Sequence, residues 1–258
     1  LIDIVRDTNS AVTIQILDYE QSETNNWNPT KVESNEDLNA LLAQKLQVNN
    51  CIEIQGPPGT GKTYRMAALS AELLRQGKSV LVTALTNQAL IELVKKKDLK
   101  DFLDAHKITK TSLTVDESKE LPKLQPNPKN LCNAAPGYLS LATFYLSSAW
   151  AKDAIEIPFD YVIMDEASQA LYPMIAASMK LGRKIIWIGD QNQLPPIVLT
   201  GKDVINRYDW GAIVKVFNTL CTIFSYPSYM LKDTFRLTER GAACTGIFYN
   251  NDLNSVSK

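Results

Sequence analysis

The stretch Gln55-Gly-Pro-Pro-Gly-Thr-Gly-Lys-Thr63 decides the fold predicted for this chain. It fits the pattern G-x-x-x-x-G-K-[ST], in which glycines let the backbone turn sharply and bring its N–H groups close to phosphate oxygens. In this pattern Lys62 reaches the β- and γ-phosphates, and the hydroxyl of Thr63 binds Mg²⁺. The predicted nucleotide-binding residues are Gly56, Pro57, Pro58, Gly59, Thr60, Gly61, Lys62 and Thr63.

The sequence on either side of this loop supports that prediction. Residues 51–54 form a short apolar run typical of a buried strand. A helix is predicted from about residue 62 to residue 75, with its positive end pointing at the bound anion. Its apolar positions recur at helical spacing: Met66, Leu69, Leu73 and Leu74. A glycine turn that binds nothing is the alternative, but the flanking strand and helix argue against it.

Composition limits the classes of protein that remain possible. The chain has 258 residues, of which 45% are apolar and 21% charged, which favours a packed globular fold over disorder. Because the net charge is −1, a nucleic-acid partner would need a local basic stripe. The 4 cysteines are widely spaced and there is 1 histidine, so we expect no zinc site. Free thiols, no apolar run of about 18 residues and no signal peptide predict an intracellular protein without a membrane partner.

Two further apolar strands are predicted, at residues 159–164 and 184–188, and each runs into polar residues. The first is followed by Asp165-Glu166, and the second by Gly189-Asp-Gln-Asn-Gln-Leu-Pro-Pro196. Strands that alternate with helices predict an α/β fold, with a mostly parallel sheet flanked by helices. Ligands in such folds bind beyond the carboxyl ends of the strands, so these polar clusters and the glycine-rich loop are predicted to form one site.

The polar clusters have the chemistry that hydrolysis of a nucleoside triphosphate requires. Asp165, at the end of an apolar strand, is placed to hold Mg²⁺, and Glu166 can accept a proton from the attacking water. Gln193 is a neutral donor and acceptor suited to a γ-phosphate or to that water. A solvated acidic turn is the alternative for Asp165 and Glu166. Because the sequence has no N-K-x-D element for guanine, ATP is the preferred nucleotide.

Residues 56–63, Asp165-Glu-Ala-Ser168 and residues 189–196 together resemble motifs I, II and III of superfamily 1 helicases. The form Asp-Glu-Ala-Ser-Gln is similar to the up-frameshift, senataxin and helicase–nuclease subgroup, which mostly moves 5′ to 3′ on single strands. The resemblance covers roughly residues 36–253. It implies a recombinase-like P-loop fold and an ATP-dependent helicase or translocase whose partner is single-stranded DNA or RNA.

The resemblance also implies a role for each matching residue in ATP hydrolysis. Lys62 and Thr63 would bind phosphate and Mg²⁺, and Asp165 would bind Mg²⁺. Glu166 would be the general base, and Gln193 would sense the γ-phosphate.

Two short stretches resemble the family's contacts to the nucleic acid strand. Val82-Thr-Ala-Leu-Thr-Asn87 is similar to motif Ia, so Thr86 and Asn87 are candidate contacts to that strand. Leu85 stands where the family commonly has Pro. Ala142-Thr143 resembles the motif Ic position, which makes Thr143 a third candidate.

Leu231-Lys-Asp-Thr-Phe-Arg236 is similar to the element that opens the family's second motor domain. Arg236 would contact the γ-phosphate, and Phe235 would stack on adenine in place of Tyr. The Gln that the family carries before the P-loop is not at its expected place. Asn35 or Asn39 is a candidate substitute, and adenine binding mainly by stacking is the alternative.

The predicted organisation has three parts. Residues 1–33 form an N-terminal β segment, with a strand pair within 1–19, and a linker. Residues 34–230 form the first motor domain, with residues 106–137 as a surface insertion, and residues 231–258 begin a truncated second motor domain. Motifs V and VI are missing, so the rest of that domain is an expected partner and this chain alone should hydrolyse ATP slowly, if at all. Since the chain begins without Met, we expect a fragment of a longer protein.

Two other functions fit the P-loop itself. One is a nucleotide-gated binding module that assembles with partners and does no unwinding. The other is a P-loop ATPase or kinase of another lineage, which has no reason to carry Gly189-Asp-Gln-Asn-Gln-Leu-Pro-Pro196. The basic run of residues 95–97 is favoured as the cationic end of a helix, with contact to a phosphate backbone as the alternative.

Overall fold

The computed structural model describes residues 29–32, 38–127, 132–194, 196–208, 210–214, 216–223 and 226–256. Nine strands of this part form one sheet. They are β1 (Thr30–Val32), β2 (Cys51–Gln55), β3 (Val80–Ala84), β4 (Ile108–Lys110), β5 (Gln125–Pro126), β6 (Leu139–Thr143), β7 (Phe159–Met164), β8 (Gly182–Gly189) and β9 (Ser228–Leu231). Their order across the sheet is β1-β9-β2-β8-β7-β3-β6-β4-β5, and each of these pairings is parallel.

Helices cover both faces of this sheet. They are α1 (Leu38–Val48), α2 (Lys62–Arg75), α3 (Asn87–Val94), α4 (Lys100–Asp104), α5 (Val115–Glu120), α6 (Phe144–Asp153), α7 (Tyr172–Leu181), α8 (Lys202–Arg207), α9 (Gly211–Val214), α10 (Val216–Ile223) and α11 (Glu239–Gly246). One apolar layer joins the sheet to α1, α2 and α3, and a second joins its other face to α6, α7 and α10. The predicted α/β fold with a parallel sheet flanked by helices is confirmed.

The alternation of side chains along the central strands divides the core between these two layers. Ile52 and Ile54 of β2 pack in the layer of α1 and α2, whereas Cys51 packs in the opposite layer. Val80 and Val82 of β3 are separated from Leu81 in the same way. Strands buried on both faces are apolar at successive positions, which is why they were visible as continuous apolar runs in the sequence.

Two regions differ from the organisation predicted from the sequence. Residues 106–137 were predicted as a surface insertion, yet they supply β4 and β5 at one edge of the sheet, and Ile108 and Lys110 are buried. Residues 30–32 were predicted within a linker, yet they form β1 beside β9. The strand pair predicted within residues 1–19 lies outside the described residues.

The chain after β9 builds a small unit of its own. Two short parallel strands, β10 (Asp233–Thr234) and β11 (Asn254–Ser255), lie on either side of α11 in sequence. A separate apolar cluster supports them and contains Met230, Ala242, Tyr249 and Leu253. The boundary predicted between residues 230 and 231 remains a prediction.

The parallel order of β2, β8, β7, β3 and β6 brings the carboxyl ends of these five strands to one edge of the sheet. The glycine-rich loop follows β2, Asp165 follows β7 and Asp190 follows β8. None of the helices in the described part of the chain is long and apolar enough to cross a membrane.

Candidate nucleotide site

The loop between β2 and α2 takes a shape that only glycine allows at several positions. Gly59 and Gly61 have φ values of 78° and 75°, in the left-handed region that side chains with a Cβ rarely adopt. A Cβ on Gly56 would lie 2.4 Å from the side-chain carbons of Lys62, and one on Gly59 would lie 2.5 Å from the Thr234 hydroxyl. The loop is therefore packed against both its own lysine and the segment after β9.

The helix that follows this loop leaves its first backbone N–H groups without a side-chain partner. Gly61 is the N-cap of α2 and provides no side-chain hydrogen bond. The first N–H groups of a helix have no partner within the helix, and they carry the positive end of its dipole. This end of α2 is thus suited to an anion such as a phosphate group.

Lys62 is the first residue of α2, and its ammonium group lies inside the loop. It donates hydrogen bonds to the carbonyl oxygens of Gly56, at 2.5 Å, and Pro57, at 3.4 Å. Burial lowers the pKa of Lys62 below its usual value, and the nearby carboxylates, with Asp190 first, oppose that shift. A largely buried ammonium group that lies beside the loop carbonyls at the start of a helix is suited to bind a phosphate.

Asp165 and Glu166 occupy the sharp turn after β7. Asp165 is buried, and its Oδ1 accepts a hydrogen bond of 2.9 Å from the backbone N–H of Glu166. The pKa of Asp165 is raised to about 6, mainly by burial and also by the charge of Glu166, while the backbone N–H of Glu166 and the charge of Lys62 act in the opposite direction. Glu166 has a φ of 54°, which is uncommon for a residue other than glycine.

Asp190, directly after β8, is the most extensively hydrogen-bonded carboxylate of the site. Its side chain is buried, and Oδ1 accepts from Gln55 Nε2 at 3.2 Å and from the backbone N–H of Asn192 at 3.1 Å. Oδ2 accepts from Gln193 Nε2 at 2.8 Å and from the hydroxyl of Tyr249 at 2.7 Å. This one carboxylate therefore links β2, the loop after β8 and the segment after β9.

A cavity of about 380 Å³ brings most of the predicted site residues together. The predicted residues that line it are Pro58, Gly59, Thr60, Gly61, Lys62, Thr63, Glu166, Gln193 and Arg236. Gly56, Pro57 and Asp165 lie behind this lining, where they contact Lys62 and Glu166. Asp190, which belongs to a polar cluster predicted at this edge, also lines the cavity, together with Tyr64, Lys96, Ser168 and Gln169, for which no role in nucleotide binding was predicted.

A second cavity of about 600 Å³ shares Gly61 and Tyr64 with the first. Its other lining residues are Leu38, Asn39, Arg65, Ala68 and Phe235. Phe235 is predicted to stack on adenine, and Asn39 is one of two candidates for reading that base. Because they share two residues, the two cavities are neighbours. The other candidate, Asn35, lies outside the described residues.

The segment after β9 is fastened to the glycine-rich loop by two hydrogen bonds. The backbone N–H of Phe235 donates to the carbonyl oxygen of Gly59 at 2.9 Å. The hydroxyl of Thr234 donates to the carbonyl oxygen of Pro58 at 3.0 Å. These bonds hold Arg236 at the first cavity and Phe235 at the second.

The three residues predicted to contact nucleic acid lie elsewhere on the same edge. β3 and β6 are neighbours, with Ala84 opposite Thr143, so Thr86, Asn87 and Thr143 follow the ends of adjacent strands. All three are described by the structure, and none lines either cavity. Thr86 and Asn87 are exposed, and the Thr86 hydroxyl caps α3 by accepting from the backbone N–H of Ala89 at 3.2 Å.

The sequence signals for the residues that had no predicted role differ in strength. The sequence pattern places Asp190 at the site, in the polar cluster after β8, but predicts no role for its carboxylate. Ser168 belongs to a motif already recognised, and its hydroxyl accepts from the backbone N–H of Asp190 at 3.2 Å. Tyr249 lies in Gly246-Ile-Phe-Tyr-Asn-Asn-Asp-Leu253, which resembles a Phe-Tyr-x-x-x-Leu run of the family, but that resemblance predicts no contact with Asp190, 59 residues away.

The fold and this arrangement of residues define a P-loop nucleoside-triphosphatase domain. The sequence also matches the model of a family described as "AAA domain" over residues 33–123 and 141–201, which is more than half of the chain. The chain therefore belongs to this family. Together with the relatives below, the match confirms the resemblance to superfamily 1 helicases.

Three curated relatives illustrate this similarity. The DNA replication ATP-dependent helicase/nuclease of Schizosaccharomyces pombe is 29% identical over 240 residues, covering 86% of this chain and 15% of that protein. The human protein of the same name is 33% identical over 57% of this chain and 14% of its own length. The Drosophila melanogaster homolog of regulator of nonsense transcripts 1 is 30% identical over 58% of this chain and 16% of its own length. The chain thus spans less than a fifth of each of these relatives.

Similar solved structures include an arterivirus nonstructural protein 10 helicase in complex with DNA. It matches with a TM-score of 0.48 and 13% identity, over 83% of this chain and 43% of the viral one. A Pif1 helicase from Bacteroides matches with a TM-score of 0.43 and 18% identity, over 80% of this chain and 44% of the other.

Proposed function

We propose that this chain is the ATP-binding motor domain of an ATP-dependent DNA or RNA helicase or translocase. The observation that carries the proposal is that one cavity is lined by the glycine-rich loop, Glu166, Gln193 and Arg236. These residues come from the ends of β2, β7, β8 and β9, and each has a type of side chain that phosphoanhydride hydrolysis uses. In the proposed reaction, ATP is hydrolysed with Mg²⁺ and single-stranded nucleic acid stimulates the rate.

The residues present fit a Mg²⁺–ATP complex. Asp165 is a buried carboxylate at a strand end, and Thr63 is the hydroxyl residue of the loop, so these two would hold the metal. When bound, Mg²⁺ would neutralise charge on the β- and γ-phosphates. Lys62 and the N–H groups of the loop bind the phosphates, and Glu166 accepts the proton of the attacking water. Gln193 and Arg236 contact the γ-phosphate.

In this proposal the second cavity binds the base of the nucleotide. Phe235 and Tyr64 provide aromatic surface, and the cavity wall is otherwise mainly apolar. Stacking on such a surface does not depend on which base is present. Asn39 is the amide in this wall and is proposed to favour adenine through its hydrogen-bonding groups.

We further propose that Thr86, Asn87 and Thr143 contact the backbone of a single strand. Polar side chains and N–H groups that bind phosphates position a strand without reading its sequence. The Asp165-Glu-Ala-Ser-Gln169 form, together with the similarity to a regulator of nonsense transcripts 1 homolog, supports assignment to the up-frameshift and senataxin-like subgroup with 5′-to-3′ movement. Activity of the whole protein would need the remainder of a second motor domain. The free cysteines of this chain suit an intracellular compartment.

The test is an ATPase assay of the full-length protein with and without single-stranded DNA or RNA. We expect nucleic acid to raise the rate, and Glu166→Gln to lower the rate at least a hundredfold, because general-base catalysis contributes roughly 10²–10⁴-fold. Nucleotide affinity should stay within about twofold, since Glu166 acts on the water rather than on the phosphates. Glu156→Gln, at an exposed position before β7, is the matched control.

Two results would contradict the proposal. A rate that does not respond to either nucleic acid would favour a nucleotide-gated binding module over a helicase or translocase. Full ATPase activity in Glu166→Gln would remove Glu166 from the reaction and with it the proposed mechanism. Duplexes with 5′ or 3′ single-stranded tails then test the proposed direction of movement.

A further inference from the structure

The Oδ2 atom of Asp190 accepts hydrogen bonds from two donors that belong to different parts of the fold. Gln193 Nε2, at 2.8 Å, comes from the loop after β8, and the Tyr249 hydroxyl, at 2.7 Å, comes from the segment after β9. Oδ1 is occupied separately by donors from Gln55 and Asn192. With these donors in place Asp190 is only 1% exposed.

Tyr249 is positioned specifically for this contact. It is the third of three consecutive large side chains, of which Ile247 and Phe248 are each 71% exposed, whereas Tyr249 is 5% exposed. Its ring packs in the apolar cluster after β9, and its hydroxyl reaches out of that cluster to Asp190. A second bond, from Asn192 Nδ2 to the carbonyl oxygen of Phe248 at 2.8 Å, holds the same two segments together.

This arrangement has a consequence for Gln193. When the Gln193 amide turns from Oδ2 of Asp190 toward a γ-phosphate, that oxygen loses a donor, and a buried carboxylate oxygen left without any donor is unfavourable. The Tyr249 hydroxyl remains on the same oxygen and keeps it hydrogen-bonded. The cost of releasing Gln193 therefore depends on a residue 56 positions further along the chain.

We propose that Tyr249 is a positioning residue that allows Gln193 to turn from Asp190 to the γ-phosphate. The inference rests on the proposed function, because it assumes that Gln193 contacts the γ-phosphate of ATP. This role of Tyr249 couples recognition of the γ-phosphate to the packing of residues 231–256 against the site. Tyr249 touches neither the nucleotide nor the water in this scheme and acts only through Asp190.

The test compares nucleotides with and without a γ-phosphate. Tyr249→Phe removes the hydroxyl and keeps the ring in its cluster. We expect it to weaken binding of a non-hydrolysable Mg²⁺–ATP analogue about tenfold, the value of one hydrogen bond to a charged group, while Mg²⁺–ADP affinity changes less than twofold. Tyr161→Phe removes a hydroxyl near the amino end of β7, far from the site, and is the matched control. Titration calorimetry on this chain measures both affinities.

A double-mutant cycle separates this role from a general structural one. In a Gln193→Ala background, Tyr249→Phe should cause no further loss of preference for the ATP analogue, because the group that it releases is gone. Equal weakening of both nucleotides, or full additivity with Gln193→Ala, would overturn the inference and leave Tyr249 as a structural contact. If the unmodified chain binds neither nucleotide, the proposed function fails and this inference with it. If it binds both and Tyr249→Phe leaves their ratio unchanged, only this inference fails.

Discussion

The carboxyl edge of the sheet has two halves that are built in different ways. The phosphate side, formed by the ends of β2, β7 and β8, contains the buried carboxylates Asp165 and Asp190 and the largely buried Lys62. The strand side, formed by the ends of β3 and β6, presents Thr86 and Asn87 in exposed positions. The first half holds charges in fixed positions away from water, and the second offers neutral polar groups at the surface.

The difference between buried charged groups and exposed neutral groups indicates which half of the edge is built for binding a ligand. Burying a charge is costly unless a partner compensates it, so a cluster of buried ionisable groups at a cavity is a candidate functional site. An exposed Thr or Asn at a helix start costs little and also serves as a cap, as Thr86 does for α3. The nucleotide site therefore has stronger physical support than the nucleic-acid contacts, and the following experiments test that contrast.

The first experiment asks whether the buried charge of Asp165 on the phosphate side destabilises the folded chain. It has the largest expected effect on free energy of the three experiments. Asp165→Asn removes a carboxyl whose pKa in the folded chain is about 6, against an ordinary value of 3.8. Because the folded pKa is raised, ionisation of Asp165 destabilises the nucleotide-free chain as pH rises from about 4 to about 6. We expect the variant to be more stable at pH 8 by up to about 3 kcal/mol, as measured by urea unfolding in the presence of a chelator.

The pH dependence of that gain is the sharper measurement. The difference in the free energy of unfolding between Asp165→Asn and the unmodified chain should be smaller at pH 5 than at pH 8 by about 1 kcal/mol or more. At pH 5 the carboxyl of the unmodified chain is largely protonated in the folded state. Asp160→Asn, at the amino end of the same strand, serves as a comparison. A constant difference across this range would mean that burial of the Asp165 charge does not strain the site.

Sequence patterns predicted the central sheet and the phosphate side well, and the reason is physical. Strands buried on both faces need apolar residues at successive positions, and a phosphate loop needs glycine where a Cβ would collide. The helix predicted over residues 62–75 is observed as Lys62–Arg75. Both kinds of signal are local, so neither needs knowledge of the tertiary contacts.

The features that sequence patterns did not predict depend on two kinds of contact. Some contacts join residues that are distant in sequence, and others allow a polar stretch to be buried. Residues 106–137 are polar, but Lys110 is buried in β4 because its ammonium group bonds to Glu117 at 3.2 Å and to the carbonyl oxygen of Ser112 at 2.6 Å. The polar composition of this stretch and its four prolines were the reason for predicting a surface insertion. The hydrogen bond between Tyr249 and Asp190 was not predicted because the two residues lie 59 positions apart in the chain.

The second experiment tests how closely the segment after β9 closes the phosphate side. A Cβ on Gly59 would lie 2.5 Å from Thr234 Oγ1 and 2.6 Å from Arg236 Cβ. Gly59→Ala should therefore push residues 234–236 away from the loop and weaken binding of a Mg²⁺–ATP analogue about tenfold, roughly the effect of losing one or two hydrogen bonds. Fluorescence titration with a labelled nucleotide provides the affinity.

Gly77→Ala is a well-matched control for this change. Gly77 has a φ of 73°, close to the 78° of Gly59, but a Cβ there would meet nothing within 4 Å. Both variants carry the backbone cost of a left-handed alanine, so their thermal stabilities should fall by similar amounts. Only Gly59→Ala should lose nucleotide affinity, and an equal loss in both would show that loop closure by residues 234–236 is unimportant.

The third experiment concerns the strand side and has the smallest expected effect. Asn87→Ala removes an exposed amide at the start of α3, which is proposed to donate to a phosphate of a single strand. One neutral hydrogen bond at a solvated position is worth only about 1 kcal/mol, so we expect about a threefold to fivefold loss of affinity for a labelled oligonucleotide. The loss should be the same for different base sequences, because a phosphate contact reads no base. Gln88→Ala, whose amide already donates to Glu92 Oε1 at 3.1 Å, should leave this affinity unchanged. If neither variant or both variants weaken binding, Asn87 is not a specific contact, and the strand would have to be bound by another part of this edge.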